Sequence, residues 1–208
     1  MSLVGLARIN YMAYLQFAYY LKYRPSRHTK LIARICEQIE AGVLQRVMFF
    51  LPPRHSKSMT VTESFPSWFI GKNPDRRVIE VSYGESLARR FGRANRRKVE
   101  DFGPGLFNIE VAGDNSSVTN WSIEGHDGGM ISAGIGGPIT GAGADCLLID
   151  DPLKNRQEAN SPTYRDMLWN EYRNTLLTRL QPNASIILIQ TRWHEDDLAG
   201  RILEQEPE

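Results

Sequence analysis

A chain of 208 residues with 41% hydrophobic and 24% charged residues has ordinary globular composition, which excludes a disordered tail and fits one α/β domain with a substantial core. Its 25 basic and 24 acidic residues leave a formal net charge of +1, so any nucleic-acid contact must come from a local patch. Two cysteines, Cys36 and Cys146, argue against a disulfide framework or zinc site and for a reducing cytoplasm, and the apolar stretch at 11–21, interrupted by Gln16, is too short to span a membrane.

Residues 9–23 carry Tyr11, Tyr14, Phe17, Tyr19, Tyr20 and Tyr23 and predict one amphipathic helix packed on the main domain. The chain thus divides into an aromatic helical segment, 1–24, and an α/β domain, 25–208. Pro25 introduces a second helix, with Leu31, Ile32, Ile35 and Ile39 at helical spacing and Gly42 at its end. The apolar run at 47–51 has the length of a fully buried parallel strand. A helix over 57–69 follows, kinked or shortened by Pro66, with Gly71-Lys72-Asn73-Pro74 as its stop. Residues 78–83 predict a second strand and 85–99 an arginine-rich helix. From Gly103 to Gly143 the texture turns to Gly, Asn and Ser with short alternating stretches, the pattern of a β-hairpin excursion. Residues 146–149 form a third buried strand. Ser161-Pro162 opens another helix as N-cap and first-turn proline, and 185–190 is a fourth strand. Strands alternating with helices predict an open, mostly parallel α/β sheet flanked by helices.

The segment Pro52-Pro53-Arg54-His55-Ser56-Lys57-Ser58 lies between a strand and a helix, the context required of a phosphate loop. There, backbone N–H groups face an anion, a lysine reaches the β/γ-phosphates of a nucleotide such as ATP, and a hydroxyl ligates Mg²⁺. Lys57 and Ser58 match the end of G-x-x-x-x-G-K-[ST], whereas Leu51 and Ser56 stand where that pattern has glycine. At the end of the third strand, Asp150 can hold Mg²⁺ and Asp151 can orient or deprotonate an attacking water. Asp151 is one methylene shorter than the glutamate many such ATPases carry, which makes Glu158 an alternative base. The fourth strand runs into Gln190-Thr191-Arg192. Gln190 or Thr191 can sense a γ-phosphate there, and Arg192 can pair with it. His194-Glu195-Asp196-Asp197 has the look of a metal set, but acidic residues opening the helix toward Leu203 serve as partners of its dipole, and that reading is preferred.

Arg89, Arg93, Arg96 and Arg97 lie near one face of their helix. A solvated basic face, contacts with DNA phosphates and an arginine presented to a neighbouring subunit's ATP all remain open.

Taken together, LPPRHSKS at 51–58, VSYGESLARRFG at 81–92, GIGGPITGAGADCLLIDDPLKN at 134–155 and TRWHEDDLAGR at 191–201 resemble the large terminase subunit of tailed phages and prophages, over roughly residues 28–203. The resemblance implies an additional-strand P-loop ATPase that assembles as a ring on the capsid portal and pumps double-stranded DNA into a procapsid in the host bacterial cytoplasm. Portal protein and small terminase subunit would be its partners. Lys57 and Ser58 would then be the Walker A residues, Asp150 the Walker B magnesium carboxylate and Asp151 the catalytic one, with Gln190-Thr191-Arg192 coupling hydrolysis to motion. Relatives often carry an arginine in the loop before the Walker B strand, where this chain has Thr140-Gly141-Ala142-Gly143. Arg54, or an arginine of the 89–97 helix acting across a ring interface, must supply that charge, and Arg54 is preferred. Such proteins normally continue into a nuclease. With the sequence stopping at Glu208, the expectation is an excised ATPase domain or a truncated relative. The competing readings are a helicase-like DNA translocase unconnected with packaging, and a ring component that binds nucleotide without turnover.

Overall fold

The computed structural model describes residues 2–139 and 141–206; Met1, Thr140, Pro207 and Glu208, and so the first residue of the arginine-lacking loop, lie outside the described residues. Seven strands, β1 (Arg46–Phe50), β2 (Arg77–Ser82), β3 (Val111–Ser116), β4 (Asn120–Ile123), β5 (Gly129–Gly134), β6 (Ala144–Asp150) and β7 (Leu180–Gln190), join one sheet in the order β1-β7-β6-β2-β5-β4-β3. The first five strands in that order run parallel, and β4 and β3 complete an antiparallel edge. Although last in the chain, β7 is inserted between β1 and β6, the placement expected of an additional-strand P-loop fold. The C-terminal ends of β1, β7 and β6 therefore meet side by side, at the sheet edge where open α/β folds build their sites.

Alternation along the central strands divides two apolar layers. Cys146, Leu148, Ile187 and Ile189 join one cluster with Trp68, Val99 and the N-terminal aromatics. Leu147, Ile149, Ile186 and Leu188 join the other with Leu168, Leu198 and Ile202. Because both faces are covered, β6 reads as a continuous apolar run. In contrast, β1 pairs only with β7, and Phe49 is its one buried residue. The fully buried strand expected at 47–51 is thus an edge strand, with one side left to solvent. The excursion is also revised: β4 and β5 form the hairpin, yet β5 runs parallel to β2, so the segment widens the main sheet instead of leaving it.

The helix expected over 9–23 is shorter, α2 (Tyr11–Ala18), and a separate helix, α1 (Leu3–Ile9), precedes it. Asn10 takes an extended conformation between them and its side chain caps α2 by accepting from Ala13 N. Tyr20 and Leu21 then adopt φ of 52° and 61°, which ends the run. The aromatic face packs on the main domain as expected, Tyr11 meeting Phe65 and Trp68 at 5.7 and 5.1 Å between ring centroids. α3 (Arg27–Glu40) opens on a capping box between Ser26 and Thr29, and Gly42 follows it at φ 74°.

The helix expected over 57–69 is also two, α4 (Lys57–Thr60) and α5 (Phe65–Lys72), separated by a turn at 61–64. Pro66 sits in the first turn of α5, where its missing N–H is harmless, so it starts a helix and does not kink one. α6 (Glu85–Phe107) runs on past residue 99 through Pro104, because Val99, Gly103 and Leu106 continue its buried face. α7 (Arg156–Asn160), α8 (Pro162–Glu171) and α9 (Leu198–Gln205) complete the α-helices among the described residues, with a π-helix at Tyr172–Leu176 and a 3-10 turn at Leu177–Arg179 following α8; Ser161 precedes α8 as expected, but its hydroxyl makes no capping bond.

Tyrosines of the N-terminal helices and the link after them fasten α4 and α5 from behind. Tyr11 Oη donates to the Thr60 carbonyl, and Tyr23 Oη bonds to Thr60 Oγ1 at 2.6 Å. Tyr14 Oη meets Ser67 Oγ at 2.8 Å, and Trp68 Nε1 donates to the Ala7 carbonyl at 3.0 Å.

Candidate functional site

Beyond β1 the chain turns twice through left-handed backbone, at Arg54 (φ 64°) and Ser56 (φ 59°), before entering α4. Ser56 stands where the phosphate-loop pattern has its second glycine, and it adopts the conformation glycine would take. The motif's shape is kept at a strain of roughly 1–2 kcal/mol. Leu51, at the first glycine position, needs no left-handed backbone, and its carbonyl instead accepts from Thr191 Oγ1 at 3.3 Å. The N–H groups of Ser56, Lys57 and Ser58 donate to no acceptor among the described residues and are free for an anion.

Lys57 is buried and ties the three strand ends together. Its ammonium donates to Asp151 Oδ1 at 2.6 Å and to Thr191 Oγ1 at 3.0 Å, while Thr191 N donates to the same Asp151 oxygen at 3.1 Å. The junction follows from topology: Lys57 comes from the loop after β1, Thr191 from the end of β7, and Asp151 from the end of β6. Asp151 is turned toward it by a left-handed φ of 43°.

Asp150 is fully buried beside this junction. Thr62 Oγ1 donates to its Oδ2 at 2.6 Å, and Oδ1 has no hydrogen-bond partner among the described residues. Burial pushes the Asp150 carboxyl up to about 6, helped by the charge of Asp151 and opposed by the Thr62 and Ser58 hydroxyls and the Lys57 ammonium. A half-satisfied buried carboxylate next to a hydroxyl and a cationic loop suits an anionic ligand carrying a divalent cation, because the cation would satisfy the orphaned oxygen.

A cleft of about 570 Å³ opens over these groups, and of the residues singled out in the sequence Pro53, Arg54, Ser56, Lys57, Ser58, Asp151 and Thr191 line it. Asp150, fully buried, does not line it. Four expected residues sit elsewhere. His55 is exposed, its Nδ1 at 3.0 Å from the Pro53 carbonyl and its own carbonyl 3.1 Å from His28 Nε2, so it braces the loop from outside. Gln190 is buried, facing a small adjoining cavity, and its Nε2 has no partner among the described residues. Arg192 does not face the cleft: Asp197 Oδ2 takes its Nε at 2.7 Å and the guanidinium lies over Phe50. Glu158 accepts from Lys154 N at 2.9 Å and does not line the cleft, because the turn before α7 carries it aside.

The acidic run at 195–197 behaves as dipole partner and ion-pair acceptor. Asp197 caps α9 by accepting from Gly200 N at 3.0 Å. Asp196 binds Arg201 at 2.6 Å and Arg165 at 2.9 Å, and those guanidinium bonds hold its carboxyl well below the usual range.

The structure adds residues that sequence reading missed. Glu63, Tyr83, Lys154 and Trp193 also line the cleft, as does Arg90 of the expected 89–97 arginine helix, which pairs with Glu63 across the wall. Thr62 carried no signal of its own, being one of several hydroxyl residues between 57 and 69, whereas Glu80, fully buried in β2, was visible as a charge within an apolar run.

Comparison with known proteins agrees with this arrangement. The sequence profile of the family described as "Terminase large subunit, T4likevirus-type, N-terminal" matches residues 48–207. No curated protein matches the chain. Among solved structures, that of the HK97 bacteriophage large terminase superposes with a TM-score of 0.57 at 9% sequence identity. The superposition covers 89% of this chain and 37% of that one, so the present chain spans little more than a third of that protein. A profile match over more than two thirds of the sequence, on a sheet with β7 inserted between β1 and β6, places the chain in the terminase large subunit family, in its N-terminal domain.

Proposed function

We propose that this domain binds ATP with Mg²⁺ and hydrolyses it to move double-stranded DNA into a procapsid, as part of a ring that works with portal protein and small terminase subunit in the bacterial cytoplasm. The observation that carries the reading is the junction of Lys57, Asp151 and Thr191 where three strands end, next to the buried Asp150, whose Oδ1 has no partner among the described residues.

In this reading the free amides of Ser56, Lys57 and Ser58 and the Lys57 ammonium hold the β- and γ-phosphates. Ser58 and Asp150 would hold the magnesium ion, which when bound neutralises phosphate charge. Asp151 orients the attacking water and accepts its proton. Because Asp151 and the phosphates compete for the same ammonium, nucleotide binding releases the carboxylate for that task. Arg54 lines the cleft and requires no second subunit to reach a phosphate, which supports it as the charge-stabilising arginine. Arg192, engaged by Asp197, is better suited to relaying a shift of the β7 end into α9 than to touching a phosphate.

The test is calorimetry with MgATP and a phosphate-release assay on wild type and Lys57→Ala. Binding and turnover are expected in the wild type and both should be lost in the variant. Equal affinity and turnover in the two proteins would sink the assignment.

A further inference from the structure

The helix break between α4 and α5 gives two polar groups of Thr62 to two different elements. Thr62 is fully buried. Its hydroxyl donates to Asp150 Oδ2 at 2.6 Å. Its carbonyl, which no continuing helix takes up, accepts from Asn95 Nδ2 at 2.8 Å.

Asn95 is itself fully buried in the middle of α6. The same nitrogen donates to the Phe91 carbonyl at 3.0 Å, and Oδ1 accepts from Ser67 N at 3.0 Å, at the start of α5. Both donors and the acceptor of this amide are therefore used. Asparagine is a poor residue for a helix interior and costly to bury unless satisfied, so its placement here needs a reason. The reason on view is the turn it holds. Lys98 Nζ donates to the Glu63 carbonyl at 2.7 Å, and Arg90 pairs with the Glu63 side chain. α6 thus grips residues 62–67 through three of its side chains. At the far end of the chain of bonds, Asp150 Oδ1 alone is left without a partner among the described residues.

We propose that Thr62 and Asn95 are positioning residues: Asn95 fastens the 62–67 turn to α6, and Thr62 fixes the Asp150 carboxylate so that Oδ1 is reserved for a divalent cation. This rests on reading Asp150 as the magnesium carboxylate. Without the hydroxyl, Oδ2 loses the hydrogen bond that fixes it, and the carboxylate is free to rotate and carry Oδ1 away from the cation position.

The experiment is a Mg²⁺ titration of the full chain in the presence of a non-hydrolysable ATP analogue, followed by calorimetry, with the analogue's affinity in EDTA as the control. Thr62→Val keeps the shape and removes the hydroxyl, and it should weaken Mg²⁺ about 10–100-fold while leaving the EDTA affinity unchanged. Thr62→Ser should restore wild-type behaviour. Asn95→Ala, which leaves the hydroxyl but loosens its turn, should weaken Mg²⁺ about 3–10-fold, and it decides the matter if Thr62→Val does not fold. Wild-type Mg²⁺ affinity in Thr62→Val, or in Asn95→Ala where that variant decides, overturns the relay and leaves the ATP reading standing. A wild-type chain that binds no analogue with Mg²⁺ overturns the ATP reading, and the relay with it.

Discussion

Asp150 and Glu80 are both fully buried, lie on neighbouring strands and face the same side of the sheet, yet they are built for different ends. Asp150 closes its strand next to Asp151, which lines the cleft, and its Oδ1 has no partner among the described residues. Glu80 sits in mid-strand. Ser82 Oγ donates to its Oε1, its Oε2 has no partner among the described residues, and it does not line the cleft. Burial pushes its carboxyl up to about 8, with the charge of Asp150 adding to the rise, so near neutral pH it holds its proton. The contrast shows what decides the fate of a buried acid. At the strand end a ligand can reach the unpartnered oxygen, whereas Glu80, away from the cleft in mid-strand, is satisfied in part by Ser82 and otherwise by keeping its proton.

The largest effect expected from this comparison belongs to the neighbour of Asp150. Asp151→Asn should slow phosphate release by about 10²–10⁴-fold. Nucleotide affinity should hold or rise, since Lys57 is freed. Normal hydrolysis in this variant, with loss in Glu158→Gln, would move the base to Glu158 despite its place outside the cleft.

Next, Asp150→Asn should weaken Mg²⁺-dependent nucleotide binding by about 100-fold or more, whereas Glu80→Gln should not change it. Equal losses in the two variants would erase the distinction between strand end and mid-strand.

Stability gives a smaller and oppositely directed test. Glu80 has a folded pKa raised above its unfolded value near 4.5, so the stability it contributes is fully present below pH 4.5 and is lost as pH rises through about 8. Glu80→Gln removes that loss. The variant should gain on the order of 1–3 kcal/mol over wild type at pH 9, with the gap closing toward pH 5. Parallel unfolding curves across that range would mean Glu80 is not a buried neutral acid. The smallest change concerns the loop above Asp150. Ser56→Gly relieves left-handed backbone and should stabilise by no more than about 1 kcal/mol, measured by thermal unfolding, without loss of nucleotide affinity.

How much of this was legible in the sequence depended on whether neighbours along the chain settled it. The β6 run with its two terminal acids, and Lys57-Ser58 between strand and helix, were readable because local pattern specifies them. The missing glycine was readable only as a defect. That Ser56 takes the glycine conformation is a property of the folded loop. The helix break at 61–64 has no local signal, because tyrosines far away in sequence reward it, through Thr60 and Ser67. Arg192 was assigned to a phosphate on its position alone, and Asp197, five residues on, proved the stronger partner once α9 folded against the strand end.

The tyrosine contacts to α4 and α5 have a mechanical consequence. α4 is a single turn of four residues, far too short to hold its own shape. Whatever load passes through Lys57 is therefore carried to Thr60 and on into Tyr11 and Tyr23, like a bracket carrying a shelf to its wall. The region recognised by sequence similarity begins at residue 48, after both tyrosines. A chain trimmed to that boundary would keep every charged group of the cleft and lose the wall they are bolted to.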